Sequence, residues 1–174
     1  RNRCGDKLDY RTWSWNAVAG ATSYVLYNSG NSAKIATSTE TSYAQTGLSA
    51  NTQYGVVART NNSNGQGTAS SAATTYTSAS TPSGATHTSQ ATDSITWSWT
   101  SGGQKEFYAN DKNSVSNNSG WITATTWAQT GLSANTQYTL QVKARNQSDV
   151  ETSASEVSAY TSQNIPSSIS LTVN

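Results

Sequence analysis

The sequence has very few of the residues that build catalytic and metal centres. Its 174 residues include one cysteine, Cys4, one histidine, His87, and no methionine. A single cysteine excludes an internal disulfide, and one residue of each type is too few for a zinc site. A Ser or Cys nucleophile needs a neighbouring base, and His87 falls in a predicted strand far in sequence from Cys4. We therefore expect neither enzyme activity nor a cofactor.

Charge and long apolar runs are also scarce. Charged residues make up 11% of the chain and the formal net charge is +1. That charge is too small to create a field that attracts nucleic acid or an acidic membrane surface. No run approaches the roughly 18 consecutive apolar residues that a membrane span needs. The sequence therefore predicts no nucleic-acid partner and no membrane span in this chain.

The residues that are abundant favour β-strands. Six tryptophans and nine tyrosines accompany many serines and threonines. Aromatic and β-branched side chains suit a pleated, half-buried surface better than a helix. A chain rich in serine and threonine is also typical of proteins outside the cell. We predict an all-β protein with an extracellular or cell-surface location.

An internal repeat organises the chain. The letters TWSW occur at Thr12–Trp15 and Thr96–Trp99, and AQTGLSANTQY occurs at Ala44–Tyr54 and Ala128–Tyr138. Both pairs are separated by 84 residues (97 − 13 and 128 − 44). The same offset aligns three further pairs without a gap, Tyr24 with Tyr108, Tyr76 with Tyr160 and Pro82 with Pro166. A shared run in register with distant landmarks indicates a duplicated unit.

The repeat predicts two complete modules, over residues 1–78 and 79–162. The first module has a divergent first strand, because the first eleven residues carry six charges. Residues 163–174 are predicted to be a linker and a strand in which Ile169, Leu171 and Val173 alternate. That strand either opens a third module or is donated to a neighbouring subunit.

Alternating apolar residues and frequent turn signals predict the fold of each module. Trp97 and Trp99 alternate in one segment, and Leu140 and Val142 in another, which is the period of a strand with one buried face. About seven short strands bounded by Gly and Asn turns are typical of an immunoglobulin-like β-sandwich. The third strand of the second module, Glu106–Asn110, shows little apolar alternation.

Both modules resemble fibronectin type III domains. The resemblance lies in the tryptophan that closes the second strand, the tyrosine of the third, and the Leu-x-x-x-Thr-x-Tyr element before the sixth. It implies that the hydroxyl of that last tyrosine ties down the chain before the sixth strand. The predicted core residues are Trp13, Trp15, Tyr24, Leu48, Tyr54, Trp97, Trp99, Tyr108, Leu132 and Tyr138.

Few residues are candidates for contact with a ligand. Trp121 aligns with Thr37, and an aromatic confined to one copy favours an exposed contact, whereas Trp127 aligns with Tyr43 and is predicted to pack. The oxygen-rich cluster Asn110, Asp111 and Asn113 lacks the repeated acidic spacing of a calcium loop, so we predict no metal site. Three Asn-x-Ser glycosylation sequons fall in predicted turns, at Asn61, Asn117 and Asn146.

Two functions from different classes follow. The first is a non-catalytic structural or adhesive module, forming a stalk, a surface layer or a self-assembling filament. In the filament the strand with Ile169, Leu171 and Val173 completes the first module of the next subunit, so that the protein associates with itself head to tail. The alternative is an accessory spacer or carbohydrate-binding module of a secreted polysaccharide hydrolase, with a glycan as partner.

Overall fold

The computed structural model describes residues 10–165, and this range is built from fourteen β-strands. The chain divides into two compact units at the junction between Ser80 and Thr81, with the short segment 146–150 grouped with the first unit. The predicted all-β fold is confirmed. The strands of the first unit are β1 (Tyr10–Ser14), β2 (Ser23–Asn28), β3 (Lys34–Ser38), β4 (Ser42–Thr46), β5 (Gln53–Asn62), β6 (Gly65–Ala69) and β7 (Ala73–Tyr76).

The first unit is a sandwich of two antiparallel sheets. Strands β1 and β4 form one sheet, and the other has the order β3-β2-β5-β6, with β7 also paired to β5. Between them Trp13, Leu26 and Val56 are buried. Trp15 and Tyr54 are only partly buried and pack against these three residues. Alternation along each strand therefore turns one set of side chains inward, as the sequence pattern requires.

The second unit repeats this arrangement with a third strand in its smaller sheet. One sheet has the order β12-β9-β8, and the other has the order β11-β10-β13-β14. Its strands are β8 (Ser83–Gln90), β9 (Ser94–Thr100), β10 (Glu106–Asp111), β11 (Ser114–Ile122), β12 (Thr126–Thr130), β13 (Gln137–Arg145) and β14 (Ser155–Tyr160).

Large apolar side chains fill the space between the two sheets of the second unit. Trp97, Ile95 and Leu140 are fully buried, and Trp99 is 5% exposed. Tyr138 is partly buried against this cluster. Burying such large rings matters in a module of this size, because a small domain hides a small fraction of its unfolded surface.

The repeat register shifts by one residue in the third strand. In the first unit Tyr24 pairs with Thr60, and the residue 84 positions after Thr60 is Ala144. Ala144 pairs with Phe107, not with Tyr108. Phe107 packs on Trp99 with ring centroids 5.7 Å apart, as Tyr24 packs on Trp15 at 5.4 Å. Phe107 therefore occupies the structural position of Tyr24.

This shift corrects two expectations about the second module. Tyr108 is not a core residue, because the connection from Trp99 is one residue shorter than in the first unit and turns Tyr108 to the outer face of the sheet. Strand β10 is also well anchored despite its weak pattern, since Phe107 and Ala109 are buried together with Asp111. The gapless alignment of Tyr24 with Tyr108 does not hold in space.

The tyrosine at the start of the long strand of each larger sheet fixes the preceding loop. The hydroxyl of Tyr54 accepts a hydrogen bond from the backbone N–H of Ser49 at 3.0 Å. Tyr138 accepts the same bond from Ser133 at 2.9 Å. Leu48 and Leu132, one residue before each donor, are buried. The structure thus contains the hydroxyl tie that the family resemblance implies.

Candidate functional site

The outer face of the sheet β11-β10-β13-β14 carries a cluster of aromatic and charged side chains. Along β13 the residues Leu140, Val142 and Ala144 are fully buried. Lys143 and Arg145 alternate with them and therefore point to the opposite face. Strand β10 lies between β11 and β13, so that side chains of three strands meet on this face.

Trp121 and Tyr108 form the centre of this cluster. They are register partners on β11 and β10, and their ring centroids are 5.5 Å apart with a 54° tilt. The guanidinium carbon of Arg145 lies 4.3 Å from the centroid of Trp121. The ammonium of Lys143 lies 5.3 Å from the Tyr108 ring and 5.7 Å from the Trp121 ring. Both aromatic rings keep part of their surface exposed.

Ion pairs neutralise the cations around the rings. Arg145 donates to Glu106 through Nε at 2.8 Å and also through its terminal nitrogen. Lys143 Nζ lies 2.6 Å from Glu151, and Lys112 Nζ lies 2.7 Å from Glu156. We call the outer-face residues Glu106, Tyr108, Trp121, Lys143, Arg145 and Glu151 the aromatic face.

The carboxylate of Glu156 is held in its charged form beside this cluster. Lys112 and Gln141 both donate hydrogen bonds to it, each at 2.7 Å. The bond from Lys112 is the larger cause that lowers the pKa of Glu156, followed by the bond from Gln141. Hydrogen bonds to the ionised form of a carboxyl favour that form.

The first unit has no equivalent of the aromatic pair. Thr37 stands at the place of Trp121, paired with Val25, and Val25 is buried. Arg59 stands 84 residues before Lys143. The sequence pointed to Trp121 through this difference between copies. It did not point to Tyr108, Lys143 or Arg145, although the alternation of Lys143 and Arg145 with buried apolar residues is a signal that they face outward.

The other aromatic pair singled out by the sequence is partly buried. Tyr43 pairs across the sheet with Trp13, and Trp127 pairs with Trp97. Both pack against the apolar core of their unit. These side chains cover the buried tryptophans.

Two of the three sequons lie in strands and not in the predicted turns, and the third lies in a turn but is buried. Asn61 is in β5 and donates to Ser23 Oγ at 3.3 Å, and Asn117 is in β11. The turn after Asn61 begins later than expected because β5 stays paired with β6 as far as Asn62, beyond a register shift between Arg59 and Asn61. Asn146 follows β13 in a turn but is 1% exposed. The side-chain oxygen of Asn146 accepts from the backbone N–H groups of the turn it closes. None of the three is an asparagine at an exposed loop tip.

The oxygen-rich cluster at the end of β10 is occupied by internal hydrogen bonds. Asp111 is buried, and its carboxylate accepts from the backbone N–H of Asn113 at 3.0 Å and from Gln129 Nε2 at 3.3 Å. The Asn110 amide donates to the carbonyl of Asp111. Within the described range, no group of three or more His, Cys, Asp or Glu residues could hold a metal ion.

The first unit contains an open cleft of about 430 Å³ beside Trp15. Tyr24 and Val18 line it, together with residues of β5 and β6. Among the described residues, the indole nitrogen of Trp15 has no hydrogen-bond partner, and the same holds for Trp99 at the equivalent place of the second unit. The unpaired indole nitrogen is therefore a feature of both units, and it does not indicate a ligand site in the cleft of the first.

Some predicted features lie outside the described residues. These are Cys4 and the proposed strand-exchange residues Ile169, Leu171 and Val173. His87, by contrast, is described and is exposed on β8. Between residues 10 and 165 there is no helix long and apolar enough to cross a membrane.

Comparison with solved structures identifies the fold. A two-domain fibronectin type III segment of chicken tenascin superposes with a TM-score of 0.63 at 16% identity, covering 90% of this chain and 95% of that one. The chain therefore has the fold of two tandem fibronectin type III domains, as its sequence resemblance indicated. No family model matches the sequence.

Comparison with curated proteins gives two relatives that are polysaccharide-degrading enzymes by name. Exoglucanase B of Cellulomonas fimi is 32% identical over 150 residues, which cover 78% of this chain and 14% of that protein. Chitinase A1 of Niallia circulans is 32% identical over 152 residues, which cover 78% of this chain and 21% of that protein. The chain thus spans about a fifth or less of the length of these relatives.

Proposed function

We propose that the chain is a non-catalytic accessory segment of a secreted polysaccharide hydrolase, in which its two domains act as a spacer. The observation that carries this proposal is the 32% identity, over 150 and 152 residues, to segments of an exoglucanase and a chitinase. Those segments are a small share of each enzyme. A shared small segment in two enzymes that act on different polymers favours a role common to both, and not the cleavage of either polymer.

The carboxylates of the aromatic face also support a non-catalytic role. Glycoside hydrolysis uses two carboxyl groups that flank the scissile bond, one of them protonated. Glu106 and Glu151 are each bound to a cation, as Glu156 is beside them. These carboxylates are therefore engaged in ion pairs on the surface of the sheet, which is a structural role. The same hydrolase relatives favour an extracellular location.

The self-assembling filament is supported less well. Its donor strand lies outside the described residues, and strand β8, the first strand of the second unit, is polar and largely exposed. The charged residues at the start of the first module therefore do not by themselves imply that an apolar strand from a neighbour must complete it. Head-to-tail association stays a prediction.

The full coding sequence around these residues tests the proposal. We expect one open reading frame that also encodes a hydrolase catalytic domain and an export signal. The purified 174-residue chain should release no reducing ends from cellulose or chitin. A gene made only of such domains and a cell-surface anchor would contradict the spacer role, and hydrolysis by the chain itself would contradict the non-catalytic one.

A further inference from the structure

We propose that the aromatic face of the second unit binds an uncharged β-1,4-linked polysaccharide chain, with Trp121 and Tyr108 as the stacking surface. This inference rests on the proposed function and adds a ligand site to it. Aromatic rings carry partial negative charge on their faces. The axial C–H groups on the flat side of an equatorially linked sugar carry partial positive charge and pack against such a face. Both rings keep part of their surface exposed beside the cations that contact them.

The neighbouring charges hold the rings in place before any ligand arrives. Arg145 lies over Trp121 and is itself fixed by Glu106 through two donors. The side chains of Arg145 and Glu106 are 23% and 24% exposed, so this pair is largely covered. A ring already held in one orientation loses little conformational entropy on binding, and preorganisation of this kind raises affinity.

The charge balance of the face selects an uncharged ligand. Within the face Arg145 is paired with Glu106 and Lys143 with Glu151. Beside the face Lys112 is paired with Glu156. A polyanion would have to displace those carboxylates, because every one of the cations already has a partner. Glu151 of the face offers a carboxylate, and Gln141 and Thr139, at the neighbouring outward positions of β13, offer an amide and a hydroxyl. Such mixed donors and acceptors suit sugar hydroxyl groups, which both donate and accept.

The two units of this chain provide an internal comparison. They share their core tryptophans and an identical run of eleven residues. At the aromatic face they differ, because Thr37 and Val25 stand where the second unit has Trp121 and Tyr108. The one-residue shift in β10 brings Tyr108 outward, where it meets Trp121. The differences between the two copies therefore bring together an exposed aromatic pair in the second unit, as expected if a ligand site was added to that copy.

The test follows the six tryptophan indole N–H signals of the whole ¹⁵N-labelled chain by NMR. Cellohexaose, chitohexaose and an anionic heparin hexasaccharide are titrated separately. The Trp121 signal, assigned by its loss in Trp121→Thr, should shift with cellohexaose or chitohexaose, and the responding arm identifies the sugar. Trp121→Thr places the residue of the first unit at this position. Its binding is measured by calorimetry, since it lacks the Trp121 signal, and should be weaker about tenfold or more, as expected for loss of a central aromatic contact.

Two further variants serve as controls. Trp121→Tyr keeps a ring and should bind within a fewfold of the unchanged chain. Tyr160→Thr removes an exposed aromatic from the same face of the sheet and should bind normally. Tyr160 pairs with Gln137 and Tyr108 pairs with Lys143, so the two tyrosines are six residues apart along β13. That separation is about 20 Å at the strand rise per residue.

The outcomes separate the two proposals. Three results would refute the ligand site while the spacer role stands. They are no shift of the Trp121 signal with either uncharged hexasaccharide, a shift with heparin alone, and unchanged binding by Trp121→Thr. The shift in the unchanged chain is informative even if Trp121→Thr does not fold, because Trp121→Tyr also lacks the Trp121 indole and assigns its signal. Binding at Trp121 by a chain whose gene encodes no hydrolase would support the site and refute the proposed function.

Discussion

The indole nitrogen of Trp97 donates a hydrogen bond of 2.8 Å to the side-chain oxygen of Gln129, and both residues are fully buried. Gln129 in turn donates to the carboxylate of Asp111. The first unit contains the same pair, Trp13 and Gln45, at 2.9 Å. A polar link therefore joins two paired strands in each sandwich, β9 with β12 and β1 with β4, where an unpaired donor would be costly.

Replacing Gln129 by leucine should destabilise the second unit by about 2 to 4 kcal/mol, because Trp97 and Asp111 would both lose a partner in a site closed to water. Denaturation of the whole chain by urea, followed by tryptophan fluorescence and by NMR signals of each unit, measures this loss. Gln45→Leu is the matched control in the first unit. Gln45 is partly exposed, so water can replace part of its hydrogen bond and the cost should be smaller. Equal stability of Gln129→Leu and the unchanged chain would contradict the role of the link.

The two tryptophans of β9 should respond differently to the same truncation. Trp97→Phe and Trp99→Phe remove a similar area of buried ring. Only the first removes a hydrogen bond, since the nitrogen of Trp99 has no partner among the described residues. We expect Trp97→Phe to cost about 1 kcal/mol more, the usual net value of one intramolecular hydrogen bond. The difference is measured from the urea midpoints of the two variants, provided that the dependence of the unfolding free energy on urea is the same in both. A larger loss for Trp99→Phe would contradict the assignment of the hydrogen bond to Trp97.

A buried threonine after the last strand of each unit fixes the same loop as the tyrosine hydroxyl does. The hydroxyl of Thr161 donates to the carbonyl of Ser133 at 2.6 Å and accepts from the N–H of Thr136 at 3.0 Å. Thr77 makes the equivalent two bonds in the first unit. Thr161→Val keeps the shape but loses the hydroxyl, and should cost about 1 to 3 kcal/mol by leaving two backbone groups unpaired.

Serine is the control at this position. Thr161→Ser keeps the hydroxyl and loses one methyl group, which is worth about 1 kcal/mol when buried. Thermal unfolding of the whole chain by calorimetry compares the two variants. A valine variant as stable as the serine variant would mean that the methyl contact and not the hydrogen bonds holds the loop.

The fold was predictable because its signals repeat. Each signal depends on several residues at once. Examples are the alternation of Trp13 with Trp15 and of Trp97 with Trp99, and the shared run that ends at Tyr138. The one-residue shift in β10 was not predictable from the aligned letters. Tyr24 and Tyr108 are the same residue type at the same offset, and only the pairing of Ala144 with Phe107 shows that the neighbour fills the core.

The candidate site was predictable in part. Trp121 stood out because its counterpart Thr37 is not aromatic. The partners of Trp121 follow from strand pairing, which places Tyr108 beside it and Lys143 beside Tyr108. Such cross-strand neighbours depend on register, and a shift by one residue moves every side chain of a strand to the other face. The buried link from Trp97 to Gln129 was missed for a similar reason, because a glutamine in a strand is usually exposed.

Acid should weaken the second unit through Glu156. Because the pKa of Glu156 is lowered in the folded chain, chiefly by the hydrogen bond from Lys112 and next by that from Gln141, its contribution to stability is present above the pKa of the unfolded chain. It is lost as the pH falls through the lowered folded value. A ¹³C NMR titration of the glutamate carboxyl carbons should place Glu156 below the ordinary glutamate range.

The partner of Glu156 provides the control. Lys112→Met keeps the length of the side chain without its charge or its donors, so the pKa of Glu156 should rise toward the ordinary value while Gln141 still lowers it. Since the ion pair is exposed on both sides, 1 M salt should also reduce the shift in the unchanged chain. A Glu156 carboxyl that titrates identically in Lys112→Met and in the unchanged chain would show that this ion pair does not form in solution.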